Sequence, residues 1–414
     1  MGRTVATALA LLVCACANGP SPTPAERSGA ADSAAALHRD AIVIDGHSDT
    51  TPWFEDPDWH FDARHDEGHQ DLPRMREGGL DAQFWSIYLG PTEGRGRAIR
   101  EAIVRIDAVH ELVRRHPDDL EIATSAADVR RIAAAGRIAC LMGLEGGHII
   151  EDSLPALRTF YRLGVRYMTL THSFHTGWAD SSGTNETPAP QHHGLTAFGE
   201  SVVREMNRLG MLVDLSHVSD ETFYHALRVT RAPVLVSHSS TRAIADHPRN
   251  LSDEMLRALA RNGGVVMINF YSGYIDEALI APIRALFGGL APRLMALREQ
   301  YLEDPVGLRR AYRELLRGLD VPRSELPVLL DHFDHAIRVA GPDHVGIGAD
   351  WDGVASMPRG MEDVSRLPAL SEGLLARGHS PEVVRKVLGE NLLRLMKGVE
   401  EAAARGVPPQ GEDA

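Results

Sequence analysis

The chain has 414 residues, of which 43% are hydrophobic, and a formal net charge of -14. This length and composition allow a large buried core, so we expect one large barrel-type domain or two ordinary domains. The acidic charge argues against nucleic acid as a partner, since phosphate backbones repel a surface that carries no basic stripe.

The N-terminus predicts export. After Arg3 an apolar run covers residues 5–13, too short to span a membrane as a mature helix, and small residues with two cysteines follow. We predict a signal peptide over residues 1–16. Its end, Val13-Cys14-Ala15-Cys16, resembles a bacterial lipoprotein cleavage box in which Cys16 is lipidated. The alternative is an ordinary cleaved signal and a soluble periplasmic protein.

Three segments follow the signal. Residues 17–36 are mostly Ala, Ser, Pro and Gly, a composition typical of a flexible linker. We predict a folded domain over residues 37–400 and a disordered tail over the small and polar residues 401–414. Cys140 is the one cysteine of that domain, so it has no partner for an internal disulfide, and its apolar neighbours favour a buried structural thiol.

Short apolar runs alternate with amphipathic helical patterns along the domain. The predicted strands are residues 41–44, 82–88, 138–143, 167–170, 212–214, 234–236, 265–269 and 345–348. Helical patterns lie between them, for example at 97–115, 153–163, 198–209 and 219–228. Eight buried strands with intervening helices predict an α/β fold, a (β/α)8 TIM-type barrel. The segment 275–340 predicts a helical insertion before the last strand, together with the crossover helix.

Histidines and acids follow these strands, at the end where barrel enzymes place their active sites. His47 and Asp49 are two residues apart, so in an extended chain both side chains point the same way and can bind one ion. An imidazole nitrogen with a carboxylate oxygen is a normal mixture for zinc. By itself, a His-x-Asp pair is weak evidence for a metal site.

Three further candidates follow other strands. Glu145 ends an apolar run, where a buried carboxylate is costly without a cation or partner, and its two oxygens could bridge two ions. Taken alone, Glu145 is better interpreted as a capping acid before a glycine turn. His217 and His238 each follow a short apolar strand; one such histidine is more often structural, but two on neighbouring strands favour a ligand pair as much as a structural role.

The final strand ends in Asp350-Trp351-Asp352-Gly353. One of the two aspartates could point into the barrel mouth, and for Asp352 we favour the role of a turn acid beside Gly353.

Taken together, four strand ends supply three imidazoles and two carboxylates, from His47, Asp49, Glu145, His217 and His238. Two zinc ions sharing Glu145 would each have three protein ligands and an open position for water and substrate. A structural zinc site would be closed and more often use cysteine, which is nearly absent here.

With these residues in place, the chain resembles the membrane (renal) dipeptidase family, the amidohydrolase-like zinc dipeptidases, from about His38 to Val399. The motifs that carry the resemblance are Asp45-Gly46-His47-Ser48-Asp49, Asp71-Leu72-Pro73-Arg74, Gln83-Phe84-Trp85-Ser86, Glu145-Gly146-Gly147-His148, Tyr167-Met168-Thr169-Leu170-Thr171-His172, Trp178-Ala179-Asp180, Met206-Asn207-Arg208-Leu209-Gly210, Asp214-Leu215-Ser216-His217, Ser237-His238-Ser239-Ser240, Arg249-Asn250, Asp350-Trp351-Asp352-Gly353 and Gly389-Glu390-Asn391-Leu392-Leu393.

The resemblance implies a barrel with two Zn²⁺ per chain. One ion would be held by His47 and Asp49 and the other by His217 and His238, with Glu145 bridging. It further implies that His172 polarises or positions the scissile carbonyl, that Arg249 binds the substrate carboxylate, and that Asp350 contacts the amino group and transfers protons. The family also suggests a homodimer and tolerance of a D-residue at the C-terminal position.

These roles suit a dipeptide, which presents a carboxylate, an amide and an ammonium. The planar guanidinium matches a carboxylate bidentately, and a hydroxide bridging the metals would attack the peptide bond. The predicted function is therefore zinc-dependent hydrolysis of small dipeptides, L,D-dipeptides included, by an exported protein attached to the membrane through its lipidated N-terminus.

Two alternatives stay open. Another binuclear amidohydrolase could act on a different small amide, but such sites often use a bridging lysine where this chain has Glu145. A non-catalytic lipoprotein could bind metal or peptide, but a binder needs no open two-metal site.

Overall fold

A computed structural model describes residues 24–90, 96–184, 186–301 and 304–406. Its strands are β1 (Ile44–Ser48), β2 (Ala82–Tyr88), β3 (Leu120–Ile122), β4 (Ile138–Glu145), β5 (Val165–Thr169), β6 (Leu212–Asp214), β7 (Leu235–Ser239), β8 (Val265–Ile268) and β9 (Val345–Ile347). The predicted signal peptide and Cys16 lie outside the described residues.

The strands form a closed parallel barrel. Their order is β2-β1-β9-β8-β7-β6-β5-β4, and a pairing of β2 with β4 closes the ring. Strand β3 pairs with the first residues of β4. The prediction of a (β/α)8 TIM-type barrel is therefore confirmed, although β3 was not predicted, because its three residues are too short for a recognisable pattern.

The two faces of each strand bury different side chains, as the alternation of side chains along a strand requires. On β2, Ala82 and Phe84 join a cluster inside the barrel, whereas Trp85 and Ile87 join the larger cluster between barrel and helices. Cys140 lies in that outer cluster, and burial raises the pKa of its thiol to about 12, in agreement with a structural role.

The helices are α1 (Pro24–Asp40), α2 (Leu72–Glu77), α3 (Ala98–Arg115), α4 (Ala126–Ala134), α5 (Leu154–Arg162), α6 (Ala197–Leu209), α7 (Asp220–Val229), α8 (Asp253–Asn262), α9 (Ser272–Ile275), α10 (Glu277–Gln300), α11 (Pro305–Leu316), α12 (Leu326–Ala340), α13 (Leu367–Ala376), α14 (Pro381–Arg385) and α15 (Asn391–Ala404). Several crossover helices begin at a serine or threonine whose side chain accepts a backbone N–H of the first turn, as Ser153 and Ser219 do.

Three predicted boundaries need correction. Helix α1 begins at Pro24, so the linker predicted for residues 17–36 is helical over much of its length. Helix α15 continues to Ala404, inside the tail predicted as disordered from residue 401. Strand β1 begins at Ile44, where the predicted strand ended, because its buried residues include the polar Asp45, His47 and Ser48, which a search for apolar runs misses.

The predicted insertion consists of α10 and α11, and α12 is the crossover helix to β9. Two arginines of α11 form ion pairs with acidic residues that follow β1. Arg309 Nη2 lies 3.5 Å from Glu55 Oε2, and Arg310 Nη2 lies 2.6 Å from Asp58 Oδ2. Among the described residues, α10 alone is long and apolar enough to cross a membrane by length and composition, which is weak evidence of a span.

Candidate active site

Glu145, the last residue of β4, lies at the centre of a group of buried side chains at the C-terminal end of the barrel. Its Oε2 is 3.5 Å from Nε2 of His47, whereas its Oε1 is 3.1 Å from Nε2 of His217 and 3.4 Å from Nε2 of His238. Gly146 follows with a φ of 115°, which only glycine adopts readily, and turns the chain away directly after the carboxylate. The two oxygens of Glu145 thus face different histidines.

Oε2 of Glu145 accepts from the hydroxyl of Ser86 on β2 at 3.0 Å, and the end of β1 supplies the histidine that faces it. His47 Nε2 lies 3.6 Å from Asp49 Oδ2, and Asp350 joins them from the segment after β9, with ligand atoms of all three residues within 4.8 Å of one another. His47 Nε2 and Asp49 Oδ1 are buried and have no hydrogen-bond partner. Buried polar atoms are rarely left unpaired, so these atoms fit a cation.

The loop after β6 supplies His217 and strand β7 supplies His238, two histidines that face Oε1. The Nε2 atoms of His217 and His238 lie 2.8 Å apart, and His217 has a left-handed φ of 67°, which a non-glycine residue rarely adopts. Burial lowers the pKa of both imidazoles well below the ordinary value. The neutral ring is the form that binds a metal.

The electrostatics of the group also fit a divalent ion. Burial raises the pKa of Asp49 to about 7, and repulsion by the negative charge of Glu145 adds to the rise. A bound cation would offset this repulsion. The donors are imidazole nitrogens and carboxylate oxygens in three overlapping groups, with no sulfur, and this set matches zinc chemistry.

His172 and Arg249 border the same centre. His172 Nε2 lies 3.6 Å from Glu145 Oε1, and burial lowers its pKa to about 4, so the ring is neutral near pH 7. Arg249 is buried, and its Nη2 donates to the carbonyl of His238 at 3.0 Å. The guanidinium lies over the ring of Tyr274, and its Nε has no hydrogen-bond partner.

The two aspartates that follow the last strand, β9, have different surroundings. Asp350 has a left-handed φ of 67°, and its Oδ2 accepts from Asn269 Nδ2 at 2.8 Å. Asp352 instead accepts from the hydroxyl of Thr50 at 2.6 Å and from the backbone N–H of His69 at 2.7 Å. Asp352 belongs to none of the candidate metal groups among the described residues, which agrees with a turn acid.

The structure thus brings together the eight residues that the sequence analysis assigned to metal and substrate: His47, Asp49, Glu145, His172, His217, His238, Arg249 and Asp350. Sequence reasoning missed the residues that hold them, namely Tyr167, Asp214, Ser237 and Asn269. All four lie in or directly after strands. Tyr167, Asp214 and Ser237 stood in motifs already noted, but a polar side chain inside an apolar run was the sole signal available.

Comparisons with known proteins agree with this geometry. A family model described as membrane dipeptidase (peptidase family M19) matches residues 31–407. The probable dipeptidase PvdM from Pseudomonas aeruginosa is 25% identical with a TM-score of 0.74, over 91% of this chain and 100% of that chain.

Two further solved structures are each 28% identical to this chain. A metallopeptidase described as a family M19 dipeptidase has a TM-score of 0.70, over 87% of this chain and 98% of that chain. A metallopeptidase from Rhodobacter sphaeroides, liganded with a phosphinate mimic of the dipeptide L-Ala-D-Ala, has a TM-score of 0.69, over 87% of this chain and 100% of that chain. The chain therefore belongs to the membrane dipeptidase family, peptidase family M19, and is a metal-dependent dipeptidase of that family.

Proposed function

We propose that this enzyme is a binuclear zinc dipeptidase that hydrolyses small dipeptides with free amino and carboxyl ends, L,D-dipeptides included. The observation that carries the proposal is the position of Glu145, with one oxygen 3.5 Å from His47 and the other 3.1 Å from His217. A carboxylate so placed can bridge two ions. The phosphinate dipeptide mimic bound by the Rhodobacter sphaeroides relative supports the choice of substrate.

The proposed ligands divide into two sets that share Glu145. His47 and Asp49 would hold one ion, and His217 and His238 the other. When bound, the zinc ions supply Lewis acidity at the scissile carbonyl and lower the pKa of water towards neutrality.

The side chains around the ions would bind and orient the substrate. Arg249 is held in advance by its bond to the His238 carbonyl, and its unpartnered Nε is available for a substrate carboxylate. Asp350 uses Oδ2 for Asn269, which leaves Oδ1 for the substrate ammonium. Burial raises the pKa of Asp350, so this carboxyl can carry a proton between substrate and water. The neutral ring of His172 can donate a hydrogen bond to the oxygen that gains negative charge.

The test uses the chain without residues 1–20, with metal content and turnover measured on one sample against L,L- and L,D-dipeptides. We expect about two zinc ions per chain and turnover that chelator abolishes. His217→Ala should remove activity, whereas His193→Ala, which changes an exposed loop histidine, should not. Two bound metals without turnover of any dipeptide would instead favour another amide substrate or a binding protein.

Two accompanying predictions concern membrane attachment and oligomeric state. Lipidation of Cys16 would anchor the enzyme to a membrane on the exported side, and mass spectrometry of the mature N-terminus tests it. Retention in the soluble periplasmic fraction is the alternative outcome. The expected homodimer is tested by light scattering of the purified enzyme.

A further inference from the structure

A histidine that binds a metal uses one ring nitrogen for the ion, and the partner of the other nitrogen decides how the ring is held. The three proposed imidazole ligands differ in this respect. Nδ1 of His47 lies 2.8 Å from the hydroxyl of Tyr167, and Nδ1 of His238 lies 2.8 Å from the hydroxyl of Ser237. Nδ1 of His217 is buried without a partner. The support of the ligands is therefore divided between two separate networks.

The first network depends on a tyrosine that reaches across the barrel. Tyr167 lies on β5, whereas His47 lies on β1, and β4 and β2 stand between these strands in the ring. The fully buried ring of Tyr167 extends over Gly143 of β4, where an added Cβ would lie 2.0 Å from Cζ of the ring. The missing side chain at Gly143 thus provides the space through which the phenol reaches His47.

The proton arrangement of this contact favours metal binding. Nε2 of His47 faces Asp49 and Glu145 and must carry the lone pair if it is to bind an ion. Nδ1 then carries the hydrogen and donates it to the phenol oxygen of Tyr167. A tyrosine oxygen can accept this bond, so the partner at Nδ1 suits the tautomer that the ion requires.

In the second network, the carboxylate of Asp214 decides which groups donate hydrogen bonds and which accept them. Asp214 Oδ2 accepts from the hydroxyl of Ser237 at 2.7 Å and from the hydroxyl of Thr169 at 2.5 Å, and Asp214 Oδ1 accepts from the backbone N–H of Ser237 at 2.8 Å. Since an ionised carboxylate only accepts, Ser237 donates its hydrogen to Asp214. Its oxygen then accepts from Nδ1 of His238, and Nε2 is left free for an ion.

We propose that Tyr167 is the positioning residue of the His47 ion and that the Ser237–Asp214 pair is the positioning unit of the His238 ion, so that each network sets the affinity of one ion separately. The inference rests on the proposed two-ion site and deepens it. Removal of an outer partner of a metal-binding histidine costs roughly 10- to 100-fold in affinity. Each network should therefore shift one of two binding steps and leave the other nearly unchanged.

The experiment is a zinc titration of metal-free protein in competition with a chromophoric chelator, which resolves two successive dissociation constants without any turnover. Tyr167→Phe keeps the ring that fills the barrel and removes the hydroxyl. We expect one step to weaken by roughly 10- to 100-fold. Ser237→Ala should weaken the other step by a similar factor. Tyr161→Phe, which removes a hydroxyl from the half-buried tyrosine of α5, is the matched control and should change neither step.

A second variant assigns the steps to the two ions. In Asp49→Asn, which disables the His47 side, Tyr167→Phe should no longer affect the remaining step, whereas Ser237→Ala should still weaken it. Equal weakening of both steps by each variant, or no weakening, would overturn the inference, and circular dichroism of the metal-free variants separates misfolding from lost positioning. Because zinc affinity is measured apart from hydrolysis, an enzyme that binds two ions as expected but cleaves no dipeptide would refute the proposed function and not this inference.

Discussion

The substitution Gly143→Ala tests how tightly the barrel interior is filled beneath the site. The new Cβ would lie 2.0 Å from Cζ and 2.1 Å from Cε2 of Tyr167. Carbon atoms in contact are about 3.5–4.0 Å apart, so the ring would have to move by about 1.5 Å. Tyr167 is fully buried and cannot move into solvent. Overpacking of this kind costs about 1–3 kcal/mol, and the displaced hydroxyl would also leave His47.

The assay compares the free energy of urea unfolding of the metal-free variants, with the zinc titration in parallel. Gly288→Ala is the matched control, because it adds the same methyl group where no atom lies within 4 Å, in the exposed helix α10. There the change should stabilise the helix by about 0.5–1 kcal/mol. The same methyl group should thus have opposite effects at the two positions.

A double variant isolates the cause. In a Tyr167→Ala background the methyl group at position 143 has space, so its cost should disappear. Wild-type stability and zinc affinity in Gly143→Ala would refute the reasoning, since they would show that the ring moves without cost. An unchanged cost in the Tyr167→Ala background would place the clash elsewhere.

Three further predictions concern binding, metal and pH. Arg249→Lys should lower kcat/KM roughly 10- to 100-fold, mainly through KM, since an ammonium cannot match a carboxylate bidentately. Arg242→Lys is the control, and an equal loss of kcat/KM in both variants would contradict a substrate role for Arg249. Chelation should lower Tm in scanning fluorimetry, because the carboxylates around Glu145 then repel each other, and zinc should restore it; an unchanged Tm would argue against a metal at this position. Burial lowers the pKa of His332 to about 4 from 6.5, so between these pH values the unfolded chain binds a proton that the folded protein excludes. The free energy of unfolding of metal-free protein should therefore fall by up to about 3 kcal/mol as pH decreases from 6.5 to 4. Urea titrations of His332→Gln should show a smaller decrease, and an equal decrease would show that this histidine is not the cause.

The ends of the strands were the least accurate part of the prediction from sequence, because the site residues lie at those ends. β1 extends through Asp45 and His47, β4 extends to Glu145, and β7 extends to Ser239. Apolar periodicity ends before these residues, because the barrel mouth buries polar side chains against one another. For the strands at 82–88 and 212–214, prediction and structure coincide.

The amino-acid sequence by itself determined the fold class, the position of the site in the barrel and the kind of chemistry at that site. The alternation of apolar runs and helical patterns predicted the parallel barrel, and polar residues directly after the strands indicated one shared mouth, because all parallel strands end on the same face. The choice of imidazole, carboxylate and guanidinium side chains indicated a metal-assisted reaction on a zwitterionic substrate.

Only the tertiary structure decided which atoms meet. Tyr167 and His47 are 120 residues apart, and no local pattern reports that a phenol crosses the barrel over Gly143. The two oxygens of Glu145 likewise acquire different neighbours only when β1, β6 and β7 close around β4. The physical reason is that periodicity encodes which face of a strand is buried, whereas contacts across the barrel depend on ring closure, register and the space that a neighbouring strand leaves free.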